Sequence, residues 1–250
     1  MVKASSARLY QRVSDDLARQ IAAGEVEVGG RLPSERLLAQ TYAVSRPTVR
    51  EAIIALELDG LVEVRQGSGV YVTARAPRGG TSMEADIGPF ELLEARRAIE
   101  GEACALAATR ITEADLDALT ALVAEMGWEN GRDIARSENA DRRFHMLIAQ
   151  ATQNSGIVAS VELLWDARER SPQYKFMGDK AHAAGVIPRL DEHTLIVAAL
   201  RQGDPEAARG AMRHHLTRVL DSLMQATEVH EVEQARERVA AQRRRYATGC

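Results

Sequence analysis

The chain has few cysteines and few aromatic residues, and it has no long apolar run. Only two of its 250 residues are cysteines, Cys104 and Cys250, which excludes a disulfide framework and a CxxC metal or redox motif. The first ten residues lack the apolar stretch of a signal peptide, and no run approaches the ~20 apolar residues of a membrane span. We therefore expect a soluble cytoplasmic protein without a membrane partner.

The sequence also lacks the overall positive charge of many nucleic-acid-binding proteins, since its formal net charge is −4. This charge is unevenly distributed. Residues 1–77 contain 10 Lys or Arg against 9 Asp or Glu, whereas residues 78–250 contain 22 against 27. A local group of arginines can still attract phosphates, because charges in physiological salt act over about 10 Å. The net charge therefore does not exclude a DNA-binding N-terminal part.

Two short helices joined by a tight corner are predicted between Pro33 and Gly60. Ser34 and Ser45 are suitable N-caps, and each precedes a segment with apolar residues at helical spacing. The predicted inward-facing residues are Leu37, Leu38 and Tyr42 on the first helix, and Val49, Ala52, Ile53 and Leu56 on the second. Such a pair is a helix-turn-helix.

Arg46 and Arg50 are four residues apart and share a face near the start of the second helix, with Thr48 beside them. A recognition helix presents groups to base edges and phosphates at this place. An ordinary helical hairpin with solvated arginines would show the same pattern, so these residues alone leave both interpretations open.

The flanking segments favour DNA binding. Residues 61–64 and 70–72 are β-rich runs joined by the turn from Gln66 to Gly69, which predicts a hairpin directly after the second helix. Residues 8–24 predict a preceding amphipathic helix that ends at Gly24 and buries Leu9, Val13, Leu17 and Ile21. Together these elements predict a winged helix-turn-helix.

The segment LPSERLLAQTYAVSRPTVREAIIALELDGLVEVRQGSGVYV resembles the DNA-binding domain of the GntR family of bacterial transcription regulators, and the likeness runs without a gap over residues 8–73. The resemblance implies that Arg36, Arg46 and Arg50 contact operator DNA. It also implies that the wing tip, at Gln66 and Gly67, enters the minor groove.

The length and composition predict two domains in a mainly α-helical protein. We expect a winged helix-turn-helix domain over residues 1–77, a Gly- and Pro-rich linker over 78–89, an all-helical domain over 90–227, and a charged tail over 228–250. The tail is interpreted as a solvated end rather than a second DNA contact. Helices of the second domain are predicted over residues 90–108, 112–127, 135–151, 156–171, 187–201 and 205–227.

Four residues with metal-ligand chemistry point inward from three of these helices. Asp141 and His145 lie four apart on one face, whereas His193 and His215 occupy core positions of their own helices and His214 faces outward. A single core histidine is usually structural and satisfied by a hydrogen bond. One carboxylate with three imidazoles, however, suits a divalent ion such as zinc, nickel or manganese.

The blocks ELLEARRAIEGEACALAA, ADRRFHMLIAQATQN and DEHTLIVAALRQGDPEAARGAMRHHL resemble the FCD ligand-binding domain of the FadR-type subfamily of GntR regulators, over residues 90 to about 225. The resemblance implies that Asp141, His145, His193 and His215 form a metal site and that Arg96 meets an acidic effector. Spacing favours Arg96 over Arg97 as the inward residue. Further segments resemble regulators of hexuronate and related sugar-acid catabolism.

We therefore expect a homodimeric transcription regulator, interpreted as a repressor, that binds a palindromic operator and responds to a small carboxylate at a metal site. A metal-dependent hydrolase is the rival hypothesis, but no separate general base is evident and a winged helix would have no role in it. A regulator that senses the metal ion itself, without an organic effector, requires the same residues and stays open.

Overall fold

The computed structural model describes residues 9–65, 67–77, 87–130, 132–183 and 189–227. The predictions made for Gln66, for most of the linker and for the charged tail lie outside these residues. The described chain divides into two compact units, one ending at Gly88 and the other running over Pro89–Ala226. No helix in the described ranges combines the length and the apolar character needed to cross a bilayer.

The first unit is a winged helix-turn-helix, as predicted. Its elements are α1 (Leu9–Ala23), α2 (Glu35–Tyr42), α3 (Arg46–Leu58), β1 (Val62–Arg65) and β2 (Gly69–Val72). The hydroxyls of Ser34 and Ser45 accept hydrogen bonds from the backbone at the starts of α2 and α3, so both predicted caps are present. The two strands pair antiparallel, with Val62 opposite Val72.

The core of this unit differs from the predicted stripes at two positions. Leu9 is 55% exposed and Leu37 is 49% exposed, whereas Tyr10 and Leu38 are buried in their place. Neighbouring residues on a helix point about 100° apart, and α2 is oriented so that Leu38 faces the core while Leu37 faces outward. The prediction that Leu9 and Leu37 face inward is therefore wrong.

The second unit is an all-helical bundle. Its elements are α4 (Pro89–Ala108), α5 (Glu113–Glu129), α6 (Ile134–Ala151), α7 (Ser155–Arg170), α8 (Pro172–Ala183), α9 (Leu190–Gln202) and α10 (Pro205–Ala226). The helix α4 packs mainly against α10, and α5 packs mainly against α6. Thr112 and Asp115 form a reciprocal capping box at the start of α5. The predicted start of α9 at Ile187 lies outside the described residues.

The helix α8 was not predicted, because Pro172 was interpreted only as the end of the preceding helix. In the structure Pro172 is the first residue of α8, and the hydroxyl of Ser171 accepts a hydrogen bond from the backbone N–H of Tyr174 at 3.2 Å. Proline is well suited to the first helical position, where its missing N–H would have no partner. The same residue can therefore end one helix and begin the next.

Candidate functional site

Three helices bring the four predicted metal ligands together. Asp141 and His145 come from α6, His193 from α9 and His215 from α10, and one ligand atom of each lies within 4.8 Å of those of the others. Asp141 Oδ1 lies 2.9 Å from His193 Nε2 and 3.5 Å from His145 Nε2. The three histidines are buried, and the Asp141 side chain is 25% exposed. One carboxylate and three imidazoles thus share a small volume.

Helix geometry and ring packing explain why the histidines converge. The Phe144 ring is fully buried and contacts the His193 ring edge-on, with 5.1 Å between ring centroids. The His193 and His215 rings lie 4.4 Å apart. His214 is exposed, because the next position on the helix points away from the bundle. The structure thus places the two adjacent histidines of α10 on the faces that helical spacing gave them.

Each clustered histidine has its Nδ1 atom engaged by an oxygen. Glu100 Oε2 contacts Nδ1 of His145, the Arg189 carbonyl oxygen lies 3.3 Å from Nδ1 of His193, and Glu192 Oε2 lies 3.1 Å from Nδ1 of His215. An oxygen at Nδ1 favours the tautomer with the proton on that atom, the form in which Nε2 can bind a metal ion. In this structure Nε2 of His193 contacts Asp141 Oδ1 at 2.9 Å.

The ligand atoms of the cluster that lack a hydrogen-bond partner are suited to bind a cation. His145 Nε2 is buried and has no hydrogen-bond partner among the residues that the structure describes. A buried polar atom without a partner is costly, and a metal ion would satisfy it. The donor set, with three nitrogens and one carboxylate oxygen, is the set preferred by zinc and similar divalent ions. The residues present therefore fit the implied group.

Burial and neighbouring charges shift the pKa values of the ionisable groups around the cluster. Burial opposes the ionisation of Glu100, but Arg96 and His145 lower the pKa of its carboxyl to about 2. Burial also opposes a charge on His145, yet Glu100 and Asp141 raise the pKa of this histidine. Burial lowers the pKa of His215 to about 4, so this imidazole is neutral near pH 7, the form that binds metals.

Arg96 of α4 points inward and is 2% exposed. Its Nε donates to Glu100 Oε1 at 2.6 Å, and its guanidinium lies 4.0 Å from the centre of the Trp165 ring. Its Nη2 is buried without a hydrogen-bond partner in the described part of the chain. Arg97 is instead partly exposed, and its Nη1 donates a hydrogen bond to the Thr217 hydroxyl at 3.4 Å. Arg96 is thus the buried arginine of this pair, and its Nη2 has a free hydrogen-bond donor among the described residues.

A cavity of about 160 Å³ opens beside the cluster. Its lining includes Arg96 together with Asp141, His193 and His215. This volume is more than ten times the minimum of about 10–15 Å³ that holds one water, so the cavity has room for several waters or for a small organic molecule. A ligand in this cavity can therefore reach the metal-ligand cluster and the unpaired Arg96 donor at the same time.

Three residues that shape the site were not predicted as functional residues, namely Glu100, Trp165 and Glu192. Glu100 follows Arg96 by four residues, so their pairing could have been predicted from helical spacing. Glu192 and Trp165 reach their partners across helix–helix contacts, and no local pattern in the sequence indicates this.

The candidate DNA-contacting residues lie at α2, α3 and the wing. Arg36 is exposed, the Arg46 side chain is 54% exposed, and the Thr48 hydroxyl bonds to that of Ser45 at 2.8 Å. Gly67 occupies the turn between the strands with a φ of 71°, a conformation that glycine adopts readily.

Arg50 is buried, although it shares a face of α3 with the half-exposed Arg46. Its side chain is only 5% exposed, and its guanidinium binds Glu35 with Nε 2.9 Å from Oε1 and Nη2 2.9 Å from Oε2. Arg46 Nη2 reaches the same carboxylate at 3.5 Å. The two arginines therefore share a face, as predicted, but α2 packs against α3 and buries Arg50 more deeply than Arg46.

Comparisons with known proteins cover both units. Residues 9–72 match the family described as "Bacterial regulatory proteins, gntR family", and residues 91–218 match the FCD domain. The chain is 42% identical to the Exu regulon transcriptional regulator of Escherichia coli over 214 residues, 84% of this chain and 82% of that protein. It is 37% identical to the Uxu operon transcriptional regulator of Escherichia coli over 91% of each chain. It is also 34% identical to the regulator LutR of Bacillus subtilis, over 80% of this chain and 94% of that protein.

Proposed function

Because the chain belongs to the GntR family of bacterial transcription regulators and contains an FCD domain, we propose that it is a repressor controlled by a sugar acid bound at a metal centre. Its relatives are regulators and not enzymes, so the hydrolase hypothesis is set aside. One observation carries the proposal: Asp141 and three histidines bring one ligand atom each within 4.8 Å of one another, beside a cavity whose lining includes Arg96.

Asp141, His145, His193 and His215 would hold one divalent ion, with zinc the first choice and nickel or manganese as alternatives. Once bound, the ion would supply a positive charge that attracts a carboxylate, and an ion that accepts more than four ligands would also leave positions for the effector. Glu100, Glu192 and the Arg189 carbonyl orient the three imidazoles through Nδ1.

The effector would be a small carboxylate, with a hexuronate favoured. Arg96 can donate to a carboxylate from Nη2 while Glu100 holds its Nε. The Exu and Uxu names of the relatives and the likeness to sugar-acid regulators both support this class. A ligand that contacts α4, α6, α9 and α10 together would bind one arrangement of these helices more tightly than another. This difference in affinity between the two arrangements would change operator binding.

Two such chains would read a palindromic operator, since one winged helix contacts only a half-site. We assign the homodimer contact to the helical unit. A chain of residues 85–250 should therefore remain dimeric in light scattering at micromolar concentration, and a monomer would contradict this assignment.

Removing the metal tests the proposal directly. The wild-type protein is first used to select an operator fragment from random duplexes. This fragment is then titrated with metal-free protein, with zinc-loaded protein, and with zinc-loaded protein plus D-glucuronate or D-galacturonate. We expect release from DNA only when zinc and sugar acid are both present. Release by zinc alone would instead support a metal-responsive regulator, and no effect of either would contradict the proposal.

Arg96→Ala should keep the metal and lose the effector. We expect D-glucuronate to raise the Tm of the zinc-loaded wild type by mass action and to leave that of the variant unchanged. The variant will start from a lower Tm because Glu100 loses a buried partner, so the shift on adding ligand is the measured quantity. Arg97→Ala removes the same charge from the neighbouring position and should respond like the wild type. Equal shifts in all three proteins would rule out this role for Arg96.

Arg46→Ala should weaken operator binding by roughly 5- to 150-fold, because a base-reading arginine contributes about 1–3 kcal/mol. Fluorescence anisotropy with the selected operator measures this change. Arg19→Ala is a matched control, since it removes an exposed arginine from α1 of the same unit and should have little effect. If both variants lose operator affinity equally, Arg46 contributes only non-specific electrostatic attraction to the DNA.

A further inference from the structure

We propose that Arg168 and Glu138 together bind the hydroxyl groups of the effector and so select a polyhydroxy monocarboxylate over shorter acids and over dicarboxylates. The inference rests on the proposed function of the cavity and extends it to residues that neither the sequence nor the family assignment singled out. It concerns the part of the cavity lining that belongs to α6 and α7.

Arg168 and Glu138 form an ion pair across two helices and both line the cavity. Arg168 Nη2 lies 2.9 Å from Glu138 Oε1, and the side chains are 12% and 49% exposed. The Arg168 guanidinium is held near two aromatic rings, 5.1 Å from the centre of Trp165 and 4.7 Å from that of Tyr174. The pair is thus fixed in place before any ligand binds.

One donor of this pair is unused. Arg168 Nε is buried and has no hydrogen-bond partner among the described residues, while Glu138 offers carboxylate oxygens at the more exposed end. Arginine only donates and an ionised glutamate only accepts hydrogen bonds. A hydroxyl group does both, so two neighbouring hydroxyls of a sugar match the pair.

The pair lies at a distance from the metal ligands that suits a longer molecule. Glu138 precedes Asp141 by three residues on α6, which places it about one helical turn, or about 4.5 Å of rise, along the same face. An effector whose carboxylate meets Arg96 and the metal would need hydroxyl groups further along its chain to bind this pair. A three-carbon acid such as lactate has a single hydroxyl, so it cannot supply the two neighbouring hydroxyls that match the pair.

The charge of the pair argues against a second carboxylate at this end. Glu138 neutralises Arg168 and would repel an anion placed next to it, which costs affinity in a partly buried site. Hydroxyl groups carry no such penalty. A site built to hydrogen-bond hydroxyls also discriminates strongly against analogues that lack them, because its own polar groups are then left unpaired.

Isothermal titration of zinc-loaded, full-length protein tests the inference with D-glucuronate, L-lactate and the dicarboxylate succinate as probes. We expect the wild type to prefer D-glucuronate. In Arg168→Lys and Glu138→Gln the affinity for D-glucuronate should fall roughly 10- to 100-fold, while the weak affinity for L-lactate stays the same. Glu138→Gln should also bind succinate better than the wild type, since the repelling charge is gone.

Arg142→Ala is the matched control. Arg142 joins the same two helices through Asp166, at 2.7 Å, and it is not among the described residues that line the cavity. Its replacement should leave all three affinities unchanged. If the wild type binds D-glucuronate and the two cavity variants bind it equally well, the role of the pair is overturned while the proposed function stands. If the zinc-loaded wild type binds no sugar acid, both are overturned.

Discussion

His193→Ala is expected to abolish stable metal binding and, with it, the response to a sugar acid. His193 Nε2 lies 2.9 Å from Asp141 Oδ1, and its ring is oriented by the Arg189 carbonyl and packed on Phe144. Loss of a residue that only orients a metal ligand typically reduces the metal affinity by about 10- to 100-fold. Loss of one of the four proposed ligands should reduce it further.

The measurement is the metal content of the purified protein after dialysis, followed by operator release with D-glucuronate. His214→Ala provides the matched control, because His214 is exposed on α10 beside the buried His215. It should keep the metal and the response. An unchanged metal content in His193→Ala, or a loss of metal in His214→Ala, would contradict the assigned ligand set.

Arg50→Ala is expected to destabilise the winged helix strongly, in addition to any effect on DNA binding. Removing Arg50 leaves the buried carboxylate of Glu35 without its bidentate partner, and breaking such a pair typically costs about 3–5 kcal/mol. Arg46 remains 3.5 Å from Glu35, so we expect the lower end of this range. The effect is large beside the total stability of a small domain.

Urea unfolding of the full-length protein measures this cost, and the double variant Glu35→Leu with Arg50→Met is the control. Replacing both charges by apolar side chains leaves no unpaired buried group, so most of the stability should return. If the double variant is as unstable as Arg50→Ala, the ion pair is not the cause. Arg46→Ala should unfold like the wild type, which separates a DNA-contacting role from a structural one.

Features that depend on neighbouring residues could be predicted from the sequence. The caps at Ser34, Ser45 and Thr112 are local hydrogen bonds, and the structure contains all three. Helical spacing likewise placed His193 and His215 inside the bundle, because a buried face repeats every three to four residues.

Features that depend on packing between helices could not be predicted in the same way. Arg50 has the spacing of an exposed recognition residue, and only the approach of α2 brings Glu35 onto it. Glu192 points at His215 from another helix, which no periodic pattern in α9 indicates. Pro172 was misinterpreted for a different reason, since proline marks the ends and the beginnings of helices alike.

The spread of the four proposed metal ligands along the chain has a consequence for folding and for amide hydrogen exchange. Asp141 and His215 lie on α6 and α10, with all of α7, α8 and α9 between them in sequence. An ion bound to both closes this long loop and removes conformational entropy from every partly opened form of the bundle. Amide hydrogens of α9 and α10 should then exchange more slowly with solvent in the zinc-loaded protein than in the metal-free one. The supply of metal in the cell would thereby set how long each regulator molecule survives proteolysis, separately from its control of DNA binding.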